Sequence, residues 1–265
     1  MLEKMIFGRY IPGTSFVHKL DPRSKLLFVF IFIIAVFLAN NTITYAILLA
    51  FTLLVIFSSR IRLYFLLSGL KPILFLIVFT MLMHIFFTKE GSLLVHWGFI
   101  KVYTEGLRQG IYISTRFLVL VLMTSILTLT TSPISITDGM EDLLGPLKRF
   151  KLPVHELALM MSISLRFIPT LMDETDKILK AQLARGSDIS SGTIQQRIKA
   201  VIPLLVPLFV SAFKRAEDLA IAMEVRGYRG GEGRTRYRQL TWSWRDTAII
   251  ILLVVVIGIL IWLRG

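Results

Sequence analysis

The sequence predicts an all-α membrane protein: about five transmembrane helices plus a cytoplasmic module of three helices. Three observations support that class. Apolar residues make up 55% of the 265 and charged residues only 18%, whereas soluble domains carry roughly 25% charged residues. The mean hydropathy is +0.71. Five apolar runs punctuate the chain, and a charge-bearing stretch of about 115 residues parts the last two. An ordinary soluble enzyme and a disordered tail are thereby excluded. With no Cys in the chain, disulfide frameworks, thiolate metal sites and cysteine nucleophiles are excluded too. The net charge of +13 fits cationic loops held against a negative cytoplasmic leaflet. Nucleic-acid binding would need a basic patch on a soluble module, so no nucleic-acid partner is expected.

A cleavable signal peptide is not expected, because the first apolar run begins only at Leu26 and no small-residue cleavage site follows. The spans are read as Lys25–Ala39, Ile43–Phe57, Leu66–Phe87, Leu107–Leu129 and Thr247–Leu263. The first two are shorter than the roughly 20 residues a span needs, and flanking Lys and Arg extend them by snorkelling. Asp21-Pro22 opens the first span as N-cap and first helical position. Asn40-Asn41-Thr42 is a tight polar turn that makes spans one and two a hairpin. Carboxylates are absent from all five spans so drawn. Alternate connections carry 25 basic residues on one side and 4 on the other, with Arg116 inside span four. The positive-inside rule then places Met1 in the cytoplasm and Gly265 outside. The organisation is a four-span membrane domain (1–131), a cytoplasmic helical segment (132–246) and a final span (247–265).

The long cytoplasmic segment holds seventeen basic and thirteen acidic residues, yet Leu157–Ile168 and Ala200–Phe213 are nearly all apolar. Each run is short, ends in charge and contains Arg or Pro. They are therefore read as helices lying against the membrane domain and projecting into the cytoplasm, not as spans. Three helices are expected: Ile136–Phe150, Val154–Arg185 and Ile194–Arg226. A breaker at Lys151–Pro153 ends the first, and Gly186 and Gly227 cap the other two. Ala212, Ala216 and Ala220 stand four residues apart, so another helix is expected to cross closely there.

The ends of the two long helices echo each other. Counting back from Arg185 and from Arg226, position −9 is acidic, −7 is Ile or Leu, −4 is Ala, and +1 is Gly. The arginines are 41 residues apart. Arg in a last turn followed by Gly is good helix-ending chemistry by itself. Its duplication fits a partner with two equivalent sockets, and the planar guanidinium suits a socket of carboxylates or carbonyls.

These residues resemble the transmembrane coupling protein of energy-coupling factor transporters, the EcfT/CbiQ-like family. The resemblance rests on the run from Gly8 through Asp21-Pro22-Arg23-Ser24-Lys25-Leu26, on Phe167-Ile168-Pro169 followed by Ala184-Arg185-Gly186, and on Ala222-Met223-Glu224-Val225-Arg226-Gly227. Val225 stands where Ala is usual, and the Arg is in place. The resemblance implies two cytoplasmic ABC ATPases and a small membrane S component as partners. The S component captures a vitamin or micronutrient. The resemblance further implies that the two long helices cross in an X and that Ala184, Arg185, Gly186, Val225, Arg226 and Gly227 dock the ATPases.

No G-x-x-x-x-G-K-[ST] sequence occurs, so the chain is expected to need no cofactor of its own, ATP being bound by the partners. His18, His84, His96 and His155 are scattered, without metal-ligand spacing. Arg116 either serves a function in the membrane or snorkels to an interface. Met81, Met83, Met160, Met161 and Met172 either pack ordinarily or line an adaptable surface for interchangeable partners. The competing reading is a self-contained secondary transporter or channel, which would need ionisable groups along a mid-membrane path.

Overall fold

The computed structural model describes residues 10–97, 100–186, 193–230 and 239–264. Gly8 and Arg9 of the N-terminal motif, most of the linker 187–193 and most of the Gly/Arg-rich connector after Tyr228 lie outside the described residues. The described residues fall into two compact units, one within 8–143 and 240–265 and the other within 144–239.

In the first unit, α1 (Pro22–Val36) starts as its sequence dictates. Asp21 accepts the Arg23 backbone N–H at 2.8 Å, and Pro22 supplies a pre-set φ where no N–H is needed. The α1 helix ends in a turn in which Leu38 N–H donates to Ala35 at 3.0 Å. The polar turn leads into α2 (Thr42–Ser59), whose first turn is pinned by Asn41 N–H donating to the Thr44 hydroxyl at 3.0 Å. Then come α3 (Leu63–Phe87), β1 (Leu93–Trp97), β2 (Ile100–Tyr103), α4 (Thr104–Thr130) and α5 (Pro133–Leu143). The final helix of the unit is α8 (Trp244–Trp262).

The core gathers around α1 and α4. Phe28, Phe32 and Phe51 pack as a ring triad with centroids 6.0–6.1 Å apart. Leu48, Met123, Leu253 and Leu260 are almost wholly buried beside it. Two glycines let α4 lie directly on α3. A Cβ at Gly106 would stand 2.8 Å from the His84 carbonyl oxygen, and one at Gly110 would stand 3.3 Å from that of Met81. Small residues four apart permit such backbone approach in membranes. The outward face of α3, including Phe75, Phe79 and Phe87, is exposed.

The structure corrects the sequence reading at four places. The helix expected over Ile136–Phe150 is α5 followed by a separate 3-10 turn at Gly145–Phe150. Pro146 has no N–H to give Asp142, and its ring disfavours a helical Gly145. The α5 helix also belongs to the membrane unit. A Cβ on Gly139 would lie 3.2 Å from both Pro22 and Leu26 of α1. The connection 88–103 contains an antiparallel β-hairpin pairing Val95 with Val102 and Trp97 with Ile100. Five described helices are long and apolar enough to cross a membrane, but the set differs from that expected. The α1 helix has 15 residues, about 22 Å, and falls short by length. The helix Val154–Ala184 meets the criterion instead, because Glu156 and Arg166 are the only charges in its first half. Finally, α8 begins three residues before the apolar run and takes Asp246 into its first turn, fully buried.

The second unit consists of the 3-10 turn and two long helices, α6 (Val154–Ala184) and α7 (Ile194–Val225), which pack on each other.

Candidate functional site

Length makes α6 and α7 unusual. With 31 and 32 residues, each spans roughly 45 Å at 1.5 Å per residue. Both carry internal proline, Pro169 in α6 and Pro203 and Pro207 in α7. The described residues of α7 at least partly buried run Val201, Leu204, Leu208, Ser211, Ala212, Arg215, Leu219, Met223, a stripe that advances by three or four residues per turn. At its middle the Glu174 carboxylate of α6 accepts from the Ser211 hydroxyl at 2.6 Å and from the Arg215 guanidinium at 3.0 Å. This clasp links the two helices.

Of the alanines singled out in the sequence, Ala212 lies on this stripe, half-buried, whereas Ala216 and Ala220 are exposed. A strict four-residue spacing drifts around a 3.6-residue helix, so the later alanines leave the contact line. Beside the stripe α7 presents Ile202, Val206, Phe209, Val210 and Phe213 outward, and α6 exposes Leu157, Met160 and Met161.

The two helix ends are built alike. Arg185 caps α6, its N–H shared between the Ala181 and Gln182 carbonyls at 3.2 and 3.1 Å. Gly186 follows at φ 83 and donates to Leu183 at 3.0 Å. At the end of α7, Arg226 donates to Ala222 at 3.3 Å, Gly227 to Glu224 at 2.9 Å and Tyr228 to Met223 at 2.9 Å. With Gly227 at φ 72, this is the Schellman pattern, which only Gly enters without strain. Arg185, Arg226, Ala184 and Val225 are exposed, and nothing stands within 4 Å of where a Cβ on either glycine would sit. Neither guanidinium has a polar partner among the described residues. The Tyr228 hydroxyl lies 3.5 Å from His155 Nε2, at the start of α6. The end of α7 therefore adjoins the beginning of α6, and the two arginines occupy opposite ends of the pair. About 45 Å of helix separates His155 from Arg185.

Elsewhere the structure assigns ionisable groups that sequence reading left open or missed. Arg116 donates to the Tyr45 hydroxyl at 2.7 Å and stands over the Phe37 ring at 5.1 Å, so it is held within the helix bundle. His18 bridges the Ser15 hydroxyl at 2.6 Å and the Ile11 carbonyl at 3.0 Å. Burial lowers its pKa from the ordinary value. Among the described residues no His/Asp/Glu group has metal-binding geometry.

The unforeseen centre is Asp246. Its carboxylate accepts from the Asp21 N–H at 2.8 Å, the Ser24 hydroxyl, and the Ser243 N–H and hydroxyl at 2.8 and 2.7 Å. One turn away the buried Lys25 ammonium donates to the Thr130 carbonyl at 3.1 Å and the Thr131 hydroxyl at 3.2 Å. Arg23 holds Asp21 at 3.0 Å and Asp142 at 3.4 Å. The first turn of α1 thus ties together α4, α5 and α8. Ser243 three residues before Asp246 is a capping signal that was readable in the sequence.

Comparison with known proteins adds the following. Residues 13–237 match the family described as "CbiQ: Cobalt transport protein". A Bacillus subtilis (strain 168) protein named "Energy-coupling factor transporter transmembrane protein EcfT" is 62% identical over 265 residues, covering all of both chains. Proteins of the same name from Macrococcus caseolyticus and Listeria innocua are each 58% identical, again over the full length of both chains.

Proposed function

Since this chain belongs to the EcfT/CbiQ-like family of energy-coupling factor transporter transmembrane proteins, we propose that its two arginine tips dock two cytoplasmic ABC ATPases. It is the transmembrane coupling component of such a transporter, a multi-pass membrane protein and a member of a multi-subunit complex. The observation that carries the docking is the matched pair of exposed Arg–Gly helix ends at opposite ends of one helix pair. ATP bound between the ATPases draws the sockets together. The tips follow, and α6 and α7 move as levers about the Glu174 clasp. The apolar flank of α7, from Ile202 to Phe213, meets the S component, which captures the vitamin or micronutrient. Hydrolysis belongs to the partners, because this chain has no phosphate-binding Gly-Lys motif.

The competing secondary transporter needs ionisable groups lining a path. The buried Asp21, Lys25 and Asp246 are instead engaged at helix ends, Asp21 and Asp246 at the start of α1 and Lys25 at the end of α4, a structural use. Expressed from its own host with an affinity tag, the chain should co-purify with two ATPase polypeptides and at least one small membrane protein, identified by mass spectrometry. Isolation of the chain alone under mild detergent would count against this reading. The orientation follows the basic-residue split: reporter fusions should place Met1 inside and Gly265 outside, and two cytoplasmic ends would refute it.

A further inference from the structure

One cavity in the membrane unit lies outside the residues used in the proposed coupling. It measures about 480 Å³ and is lined by Gly13, Ser15 and His18 of the N-terminal loop and by Ser59, Arg60 and Arg62 between α2 and α3. Its back wall is closely packed. Both ring nitrogens of His18 are engaged, and Gly13 presses so close that a Cβ there would stand 2.8 Å from the imidazole. Its mouth carries two cations. Arg60 and Arg62 are exposed, and neither guanidinium has a polar partner among the described residues. Arg60 also holds φ 52, a left-handed conformation in which Gly is unstrained and Arg is not.

Beside this cavity an apolar groove of about 130 Å³ runs between α2 and α8, lined by Phe16, Leu54, Val55, Ala248, Ile249 and Leu252. The last turn of α2 joins the two spaces: Leu54, Val55 and Ser58 face the groove, and Ser59 and Arg60 face the cavity. A polar pocket whose exposed arginines have no polar partner among the described residues, next to an apolar groove on the same end of α2, matches an amphiphile with an anionic head. We propose that this is a binding site for an anionic glycerophospholipid, its phosphate held by Arg60 and Arg62 and one acyl chain lying in the α2–α8 groove. Arg suits phosphate oxygens through its planar fork. A free phosphate would satisfy the arginines but leave the groove unused. On the orientation proposed above, the site faces the cytoplasmic leaflet, an assignment that rests on that orientation. Binding in detergent does not, so the two fail separately.

The test is native mass spectrometry of the intact complex in detergent, titrated with phosphatidylglycerol, with phosphatidylcholine and with inorganic phosphate. Phosphatidylglycerol should bind at least about tenfold more tightly than phosphatidylcholine. Arg60→Gly/Arg62→Gln, which also relieves the left-handed residue, should weaken phosphatidylglycerol about thirtyfold. Lys19→Gln/Lys71→Gln removes two exposed charges that do not line the cavity, and should change affinity less than about threefold. Ala248→Trp fills the groove and should weaken both lipids. Equal affinity for the two lipids, an unchanged arginine variant, or a lysine variant as weak as the arginine one would overturn the site. Inorganic phosphate binding as tightly as phosphatidylglycerol, indifferent to Ala248→Trp, would make it a free-anion site and overturn the lipid assignment.

Discussion

Combining Arg185→Glu with Arg226→Glu is expected to abolish recovery of the ATPases with this chain, while either change alone weakens it. Each guanidinium projects from a helix end with no partner of its own among the described residues. Its charge is therefore available to a socket at no cost to the folded chain. Removing one partner of a buried, hydrogen-bonded charge contact costs about 2–5 kcal/mol, or roughly thirtyfold to several thousandfold in affinity at 1.4 kcal/mol per decade. Reversal adds repulsion to that loss. The helices should survive, because the caps are made by backbone groups and by Gly186 and Gly227. Lys214→Glu is the matched control, an exposed charge on the shaft of α7. The measurement is co-elution of the ATPases from detergent. Full retention in the double variant would remove the docking role from both tips.

The second large effect lies in the membrane unit. Asp246→Ala should lower the stability of the chain by about 3–5 kcal/mol, because it strands the buried donors of Asp21 and Ser24 and also removes the bonds from Ser243. For a chain of this size that corresponds to roughly 10 °C or more in melting temperature. Ser24→Ala removes one donor and leaves the other three satisfied, so it should cost about 1 kcal/mol. Thermal unfolding of the purified complex in detergent compares the two. Equal melting temperatures for Asp246→Ala and the parent would show that the α1–α8 junction is held by apolar packing alone.

Local chemistry was the most legible part of this fold. Asp21-Pro22 announces the start of α1, the Asn-Asn-Thr turn announces the hairpin, and Gly186 and Gly227 announce the ends of α6 and α7. The duplicated Arg–Gly endings are local too, which is why the candidate docking residues were found without knowing how the helices pack. What escaped depends on partners distant in sequence or on short breaks. Asp246 lies 225 residues from Asp21, whose N–H it accepts. It was passed over because the span was drawn from the apolar run at Thr247, although Ser243 preceding it marks a helix start. Gly106 and Gly110 carry the α3–α4 contact, and their four-residue spacing is the one local signal of it in the sequence. The Gly145-Pro146 pair cut an expected helix in two. The alanine stripe was read by spacing alone, and the burial of Ser211, Arg215 and Leu219 shows that the contact line curves away from Ala216 and Ala220.

The central claim is that this chain transmits movement and carries no substrate itself. It is tested most directly by uptake of a labelled vitamin into proteoliposomes, with ATP hydrolysis followed in the same preparation. Vesicles holding the ATPases, the S component and this chain should accumulate label only with ATP. Vesicles lacking this chain, and vesicles holding this chain alone, should accumulate none. Uptake by the chain alone, driven by an ion gradient and indifferent to ATP, would contradict the account and establish a self-contained transporter.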